Sequence, residues 1–461
     1  MSRFINRKEE LEFLESKYKS KAAEMIILYG RRRIGKTELV LKFCENKIVF
    51  YFMGRLESRE DTLKRLNNLI VEKFKDSSLL NNPLSNLEAV FDYLVEKCDK
   101  RLVLVFDEFP FLVDRFPEVI SLLQDKWDSK FKKTNAMFIL LGPSVGMMEK
   151  YALDYKSPLY GRRTGQWKID KFNISHLKSF FPKYSVEDLI YVYSTIDSIP
   201  GYLGLFDENK TALENIQSKI LSKGEFLYEE VEILLREELR DPSNYMSIIS
   251  AVAGGLNSFN EISQKTNLDK SMLSKYLGVL ENLNIIERIS SLSESSKAKL
   301  KSKNLMYVVR DNFYDFWFKF VYLNKQNIEK GSFNLVSDSK RDFEQYVSFK
   351  FEDFSRKFIE NLFSKEYNSF GKWWFKDKEI DILGLNESKK EILLAECKWK
   401  KDVNALEVLK DLADKSKFVD WNLDKRKETF VVFAKSFSKK VSEFEGRKVY
   451  CYDLKDIEDN L

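Results

Sequence analysis

The chain alternates between two kinds of hydrophobic pattern. Over roughly the first 170 residues, short runs of consecutive apolar residues alternate with stretches in which apolar residues recur at helical spacing. Such runs are typical of strands covered on both faces, and their alternation with helices predicts a doubly wound parallel sheet. Three strands stand out, at residues 25–29, 101–106 and 136–141. The predicted fold class is α/β.

The pattern changes several times beyond this point. A helical stretch is followed by two short helices around a turn and two short strands, then by an aromatic-rich helical stretch and a second α/β pattern. We therefore predict five regions. They are a sheet domain at 1–172, a helical lid subdomain at 173–242, a winged helix at 243–310, a helical connector at 311–345 and a second α/β domain at 346–461.

The expected winged helix contains a candidate DNA-reading helix. Asp269 can cap this helix, and apolar residues at helical spacing follow it. In the functional interpretation, one face of the helix enters a DNA major groove. In the alternative, the region is an arm that packs on the sheet domain, because the helix has only two lysines and no arginine. The residues of the candidate face are Lys270, Ser271, Ser274 and Lys275.

Composition and charge restrict the chemistry. A net charge of +5 with 32% charged residues indicates a surface of mixed sign, so any nucleic-acid surface must be local. His176 is the only histidine, which excludes a His-rich zinc site. The four cysteines are scattered as in a reducing cytoplasm, the predicted location. No run reaches the ~20 apolar residues that span a bilayer. We expect the aromatic run at 313–322 to be core, the alternative being membrane attachment.

A phosphate-binding loop follows the first strand. Two glycines let the backbone wrap around an anion, and successive N–H groups and the next helix's N-terminus supply positive potential. Lys36 would reach the β- and γ-phosphates of ATP, and the Thr37 hydroxyl would bind Mg²⁺. The loop and the first helical residue after it comprise Gly30, Arg31, Arg32, Arg33, Ile34, Gly35, Lys36, Thr37 and Glu38.

The next two strands end in residues suited to the same site. Asp107 ends the strand at 101–106 and is the expected partner of Mg²⁺, while Glu108 would polarise the attacking water. Ser144 follows the third strand. Because open α/β sheets bind ligands at the carboxyl ends of their strands, all three side chains are expected to face the nucleotide.

The last region has a second set of acids on a predicted hairpin. Residues 378–385 and 391–399 alternate polar and apolar positions around a turn. Antiparallel pairing would bring Asp381 and Glu396 close enough to share Mg²⁺ or Mn²⁺, with Lys398 beside the attacking water. The spacing D-x(14)-E-x-K resembles that of PD-(D/E)xK nucleases. The alternative is a solvent-exposed hairpin with alternating charges.

Together these motifs resemble a known family, the archaeal P-loop ATPases of AAA+ or STAND type that have a winged helix and a C-terminal domain of unknown function. The resemblance covers nearly the whole chain. It rests on the P-loop and on the segments at residues 4–7, 106–109, 157–163 and 199–203.

The resemblance implies further roles. Asn6 and Arg7 would lie in a lead-in segment beside the adenine, and Ser144 would be a sensor residue. Arg162 or Arg163 would sense the γ-phosphate, and Pro200 would pack near the base. In the last domain, Glu352 resembles, loosely, the acidic helix position of the nucleases.

The sequence thus predicts an ATP-hydrolysing switch or motor fused to a metal-dependent nuclease-like domain acting on DNA, with ATP and Mg²⁺ as cofactors. The alternative is a STAND-type regulatory or scaffold protein whose last domain binds a partner without cleavage. Neither function involves a membrane, and both are compatible with oligomers.

Overall fold

The computed structural model describes residues 4–142, 148, 151, 154–239, 241–292, 305–423 and 425–461. The chain divides into two compact units, Met1–Lys171 and Phe172–Leu461. Across the described ranges, no helix combines the length and the apolar character needed to cross a membrane.

The first unit is built on a parallel sheet of five strands. Neighbouring strands follow the order β2-β3-β4-β1-β5, and every neighbouring pair is parallel. This confirms the predicted α/β fold with a parallel sheet. The strands are β1 (Glu24–Tyr29), β2 (Val49–Met53), β3 (Leu102–Asp107), β4 (Ala136–Gly142) and β5 (Gly165–Lys168).

The central strands of this sheet are apolar because both faces are covered. Alternate residues of β1, β3 and β4 enter two separate cores, one with Ile27 and Phe106, the other with Ile26 and Val105. The helices of the unit are α1 (Lys8–Lys19), α2 (Lys36–Cys44), α3 (Arg59–Phe74), α4 (Ser78–Asn81), α5 (Leu87–Glu96), α6 (Phe109–Arg115) and α7 (Val119–Ser129), with a 3-10 turn at Phe131–Lys133.

The second unit begins with helices. A 3-10 turn at Ile174–His176 precedes the first of them. Three helices and a hairpin of two antiparallel strands then form a compact group at residues 243–309. The elements are α8 (Leu177–Phe180), α9 (Val186–Ile196), α10 (Pro200–Leu203), α11 (Ala212–Lys219), α12 (Phe226–Glu238), α13 (Ser243–Ala253), α14 (Phe259–Thr266), α15 (Lys270–Asn282), β6 (Ile286–Ile289) and β7 (Met306–Val309).

An aromatic-rich helical stretch continues the unit and leads into a long helix. Phe313, Phe316 and Trp317 are fully buried, so this stretch is core. Its elements are α16 (Asn312–Phe316), a π-helical turn (Trp317–Val321), a 3-10 turn (Tyr322–Asn324), α17 (Lys325–Glu329), α18 (Leu335–Asp338) and α19 (Lys340–Phe363).

The chain ends in a mixed sheet of six strands in the order β14-β15-β12-β10-β9-β8, beside a small parallel pair, β11 and β13. The pairs β8/β9 and β9/β10 are antiparallel, whereas β10/β12 and β12/β15 are parallel. The elements are β8 (Ser369–Phe375), β9 (Lys378–Asn386), β10 (Glu391–Lys398), β11 (Val403–Asn404), α20 (Ala405–Ser416), β12 (Lys427–Ala434), β13 (Phe437–Lys439), β14 (Glu443–Phe444), β15 (Arg447–Tyr452) and α21 (Leu454–Glu458).

Helices cover both faces of this sheet. Phe351 and Phe358 of α19 share a core with alternate residues of β10 and β12. Leu409 and Leu412 of α20 share a second core with the intervening residues of the same two strands, which point to the opposite face. The core on the α19 face is continuous with that of the helical region from Ile174 onward. The terminal sheet and the helices before it therefore form one packed unit.

Candidate functional sites

The predicted phosphate-binding loop connects β1 to α2. At Gly30, a β-carbon would lie 2.3 Å from the carbonyl oxygen of Ile169, so only glycine fits. Gly35 caps α2 with a left-handed backbone (φ 87°), a conformation that favours glycine. The loop thus turns tightly and presents the N-terminus of α2, the arrangement that binds phosphate.

Inside this loop, Lys36 and Thr37 are already positioned. The Lys36 ammonium donates to the carbonyl oxygens of Gly30 at 2.8 Å and Arg31 at 3.0 Å, and the side chain is almost fully buried. The Thr37 hydroxyl donates to Asp107 Oδ2 at 2.7 Å. The structure therefore brings together the lysine, hydroxyl and carboxylate that are suited to ATP and Mg²⁺.

Asp107 accepts a further hydrogen bond from a residue that the sequence did not indicate. The Tyr51 hydroxyl, from β2, donates to Asp107 Oδ2 at 2.6 Å. Burial raises the pKa of Tyr51 far above its ordinary value, and the hydrogen bond to Asp107 adds to this effect. The tyrosine therefore stays protonated and remains a donor.

Glu108 follows Asp107 in a left-handed backbone conformation with φ 50°. Its N–H donates to Asp107 Oδ1 at 2.8 Å, and its carbonyl oxygen lies only 2.5 Å from where a β-carbon of Gly54 would be. Such a conformation is uncommon for a residue other than glycine and is often found at functional sites. It places Glu108 at the carboxyl end of β3, the edge of the sheet where ligands bind.

The lead-in residues reach the loop from the N-terminal side. Arg7 is buried, and its guanidinium donates to the carbonyl oxygen of Ile34 at 2.9 Å and pairs with Glu10 at 2.8 Å. Burial lowers the pKa of Arg7, while Glu10 opposes this effect. Asn6 and Arg7 both have left-handed backbones. The structure thus places Arg7 against the P-loop.

Some of the other residues predicted to bind nucleotide lie in or next to the P-loop, and some do not. Ile34 is buried and Glu38 is exposed, in the first turn of α2. Ser144 lies outside the described residues. Pro200 begins α10 in the second unit, so its role beside the base stays a prediction. The remaining loop residues, Arg31, Arg32 and Arg33, line the loop with half-buried or exposed side chains.

The contacts described for Arg162 and Arg163 are with Asp128 of α7 and with residues 158–160. The Arg162 guanidinium forms a bidentate pair with Asp128 of α7, at 2.7 Å for its shortest contact, and donates to the Pro158 carbonyl oxygen at 2.9 Å. The Arg163 guanidinium lies 4.4 Å from the centre of the Tyr160 ring. Their role in γ-phosphate sensing stays a prediction.

The second candidate site lies in the terminal sheet. The register of β9 and β10 pairs Ile382 with Ala395, one step from Asp381 and Glu396. Asp381 Oδ2 accepts a hydrogen bond from the Cys397 N–H at 2.8 Å. The two predicted acids therefore lie on adjacent strands at the point where the paired register ends.

Two further acids join Asp381. Carboxylate oxygens of Glu352, Glu379 and Asp381 lie within 4.8 Å of one another, close enough to share a cation. Lys372, from β8, binds two of them: its ammonium donates to Glu352 Oε2 at 2.9 Å and is ion-paired with Glu379. Glu352 of α19, which fitted the nuclease pattern only loosely, is thus part of the cluster. We call the set of Glu352, Glu379, Asp381, Glu396, Lys372, Lys398 and Lys415 the acidic cluster.

Two lysines bind the fourth acid. Lys398 and Lys415 donate to the same oxygen, Glu396 Oε1, at 2.8 and 3.1 Å. The other oxygen, Oε2, is buried and has no hydrogen-bond partner among the described residues. Glu396 is only 4% exposed, so this oxygen needs a cation or donor that the described side chains do not supply.

Burial and the proximity of other carboxylates change the pKa values of the acids in the cluster. Burial raises the pKa of Asp381 to about 8, and the charges of Glu352 and Glu396 add to the shift. Burial also raises the pKa of Glu352, with Lys372 opposing and Glu379 adding to the effect. For Lys398, burial lowers the pKa, but Glu396 raises it above the ordinary value. Burial and mutual repulsion therefore favour the protonated forms of Asp381 and Glu352.

The fold and the loop geometry define the first unit as a P-loop ATPase domain. Residues 4–206 match the family described as an ATPase domain predominantly from Archaea, and residues 317–410 match one described as archaeal and bacterial proteins of unknown function. The chain is 35% identical to the uncharacterized protein MJECL04 of Methanocaldococcus jannaschii over 464 residues, 98% of this chain and 100% of the relative. The chain belongs to this family of archaeal P-loop ATPases.

Two further comparisons cover less of this chain. A segment of 44 residues is 68% identical to the uncharacterized ATP-binding protein MJ0423 of the same organism, covering 10% of this chain and 75% of that protein. The Walker-type ATPase PABY2304 of Pyrococcus abyssi has a similar fold, with a TM-score of 0.53 and 23% identity, over 69% of this chain and 96% of that one. These findings confirm the predicted archaeal ATPase with a C-terminal domain of unknown function.

Proposed function

We propose that this protein is an ATP-hydrolysing switch or motor whose C-terminal domain is a metal-dependent nuclease acting on DNA. The ATPase half follows from the family and the P-loop. The nuclease half rests on one observation, the meeting of Glu352, Asp381, Glu396 and Lys398 at one end of the hairpin of β9 and β10. Three acids and a lysine at such a point suit hydrolysis of a phosphodiester.

The acids are suited to a hard divalent ion. Asp381 and Glu396 offer carboxylate oxygens, the ligands that Mg²⁺ and Mn²⁺ favour. The fit is supported by Glu396 Oε2, which is buried and unpartnered among the described residues, and by the raised pKa of Asp381, which a bound cation would lower. When bound, the ion would polarise the phosphate and acidify the attacking water.

Lys398 has a separate role in this proposal. Its ammonium is 2.8 Å from Glu396 Oε1 and its side chain is 37% exposed, so it can reach a substrate while the carboxylate holds it in place. The raised pKa of Lys398 keeps it charged. A charged ammonium there would orient the water and stabilise negative charge on the phosphate in the transition state.

DNA is proposed as the substrate because of the group of helices and hairpin at residues 243–309. It has the order of elements of a winged helix, and Asp269 caps α15 by accepting from the N–H groups of Ser271 and Met272, both at 2.9 Å. The buried side of α15 is formed by Leu273, Leu277 and Leu280. The predicted DNA-facing residues are all exposed: Lys270, Ser271, Ser274 and Lys275.

Within the second unit, two hydrogen bonds join helix α9 to the residue beside Lys398. Trp399 directly follows Lys398, and its indole N–H donates to Glu344 of α19 at 2.7 Å. The Tyr191 hydroxyl of α9 donates to the other oxygen of Glu344, also at 2.7 Å. A shift of α9 would therefore be transmitted to the residue beside Lys398.

A cleavage assay tests the proposal. Plasmid, linear and branched DNA are incubated with Mg²⁺ or Mn²⁺ and the full chain, its Asp381→Ala and Lys398→Ala variants, and the control Lys389→Ala, which alters an exposed turn of the same domain. We expect metal-dependent cleavage by the wild type and the control, and none by the two site variants. Cleavage that survives both substitutions would remove this active site.

One observation favours the second candidate, a STAND-type regulatory protein whose last domain binds without cutting. Lys372 and Lys398 already neutralise acids of the cluster, so part of the charge is satisfied without an ion. In that case the assay shows no cleavage by the wild type, while DNA or protein binding depends on nucleotide.

A further inference from the structure

The acidic cluster contains two places where a cation can lie. One is between Glu352, Glu379 and Asp381, whose oxygens lie within 4.8 Å of one another. The other is beside Glu396 Oε2, which is buried and unpartnered among the described residues. Nucleases that use two metal ions bind them about 4 Å apart at such groups of carboxylates.

The first of these places already has a cation. The Lys372 ammonium lies 2.9 Å from Glu352 Oε2 and is paired with Glu379, two of the three acids that could hold an ion there. Burial by itself would lower the pKa of Lys372, but the two carboxylates raise it above its ordinary value, so the ammonium stays charged. A divalent ion could enter only by displacing this charge.

At the second place, none of the described residues donates to Glu396 Oε2. Both Lys398 and Lys415 donate to Glu396 Oε1, so neither lysine neutralises the buried Oε2 directly. In the register of β9 and β10, Ile382 lies opposite Ala395, which places Asp381 and Glu396 next to each other where the pairing ends. An ion between Asp381 and Glu396 would bind this oxygen and lower the repulsion between the acids.

The balance of charge agrees with one ion. When all groups are ionised, the carboxylates of Glu352, Glu379, Asp381 and Glu396 exceed the ammonium groups of Lys372, Lys398 and Lys415 by one negative charge. One divalent ion leaves a single positive charge, which the single negative charge of a phosphodiester neutralises. A second ion would leave three positive charges in a largely buried site, at a large electrostatic cost.

We propose that Lys372 takes the place of a second metal ion, so that the nuclease-like site binds one divalent ion, held by Asp381 and Glu396. This inference rests on the proposed nuclease function. It assigns to β8 a positioning residue that the D-x(14)-E-x-K pattern does not include. It also predicts that removal of the Lys372 charge converts the site to one that binds two ions.

The test is the number of Mn²⁺ ions bound by the full chain without nucleotide, measured by EPR of free and bound Mn²⁺. All proteins also contain Asp107→Asn, which removes the carboxylate at the P-loop. We expect one ion for the parent protein, two for Lys372→Gln, and one for both Lys372→Arg and the control Lys389→Gln. The two ions in Lys372→Gln should be spin-coupled, because ions in such sites lie about 4 Å apart.

Two ions in the parent protein, or one ion in both the parent and Lys372→Gln, would overturn the inference. If Lys372→Gln does not fold by circular dichroism, the parent spectrum still decides, because a coupled pair of ions contradicts a single-ion site and an uncoupled ion supports it. No bound ion in either protein would instead remove the metal site itself, and with it the proposed nuclease function.

Discussion

The two candidate sites of this chain differ in how the negative charge of their carboxylates is compensated. At the P-loop, Asp107 is bound by neutral donors, the hydroxyls of Thr37 and Tyr51 and the N–H of Glu108. In the acidic cluster, carboxylates lie against lysines and against one another, and the pKa of Asp381 rises to about 8. Asp107 is therefore satisfied before any ligand binds, whereas the carboxylates of the acidic cluster, once ionised, have more negative charge than its lysines neutralise.

This difference has a functional consequence. A preformed loop of backbone N–H groups binds phosphate without rearrangement, so its affinity depends on a few residues with separate tasks. A cluster of repelling carboxylates gains most from a cation, so its stability and its chemistry both depend on metal and on pH. Substitutions should therefore act locally at the P-loop and jointly in the cluster.

The largest effect is expected at Lys36. Its ammonium is nearly fully buried and held by two loop carbonyls, so Lys36→Ala leaves the phosphate charge without its main partner. We expect ATP affinity to fall about 100-fold or more and hydrolysis to be abolished. Glu108→Gln is the matched control, which should bind a fluorescent ATP analogue normally but turn over slowly. Normal binding by Lys36→Ala would refute the P-loop assignment.

The next effect concerns the arginine pair. If Arg162 or Arg163 approaches the γ-phosphate, replacing both by Ala should lower turnover by roughly 10³-fold, the low end of what such arginines supply. ADP affinity, measured by calorimetry, should change little. Asp128→Ala distinguishes γ-phosphate sensing from a packing role, because it breaks the ion pair of Arg162 without removing the guanidinium. Equal losses of ADP and ATP affinity in the double variant would indicate a packing role.

A smaller effect is expected from pH. The pKa of Asp381 is raised by burial to about 8, so the folded state binds this proton more tightly than the unfolded state, where the pKa is about 3.9. The resulting stabilisation is complete below about pH 4 and is lost as the pH rises toward 8. Glu352, with its raised pKa, acts in the same direction.

Thermal unfolding at pH 5 and pH 8 measures this effect. Without metal, the melting temperature should fall toward pH 8, and Mn²⁺ should restore it there because the ion favours the ionised carboxylate. In Asp381→Asn, both the fall and the rescue by Mn²⁺ should be smaller. A wild-type melting temperature that is insensitive to Mn²⁺ at pH 8 would contradict the contrast between the two sites.

The smallest effect is expected at Tyr51. Its hydroxyl holds Asp107 Oδ2 in place, so Tyr51→Phe should raise the Mg²⁺ concentration that ATP hydrolysis requires, by roughly tenfold or less. Affinity for ATP without Mg²⁺ should stay unchanged, which a general loss of packing would not allow. An unchanged Mg²⁺ requirement would show that Thr37 and Glu108 position Asp107 without the tyrosine.

The sequence indicated the P-loop and its acid because both motifs are local. Gly30, Lys36 and Asp107 are recognisable from their neighbours, and the apolar runs of β1, β3 and β4 predict the sheet that joins them. Tyr51 belongs to β2, whose partner β3 lies far along the chain, and Lys372 reaches Glu352 only because α19 packs near β8. No local pattern marks the side chain that will face Asp107 or Glu352 after folding.

The acidic cluster was predictable only in part for the same reason. The hairpin spacing indicated Asp381, Glu396 and Lys398, because strand period and antiparallel pairing determine their positions. Glu352 lies on a helix, and Lys415 on another, so their approach to the hairpin depends on how α19 and α20 pack on the sheet. Only the folded chain shows that contact.

The central claim is that an ATP site and a metal-dependent cutting site work together in one chain. The direct measurement is the rate of Mn²⁺-dependent DNA cleavage by the wild type and by Lys36→Ala, each with and without ATP. Coupling energies of about 1–3 kcal/mol correspond to a change of at least several-fold in the wild type, and no change is expected in Lys36→Ala. Cleavage that is indifferent to ATP in both proteins would contradict the coupling.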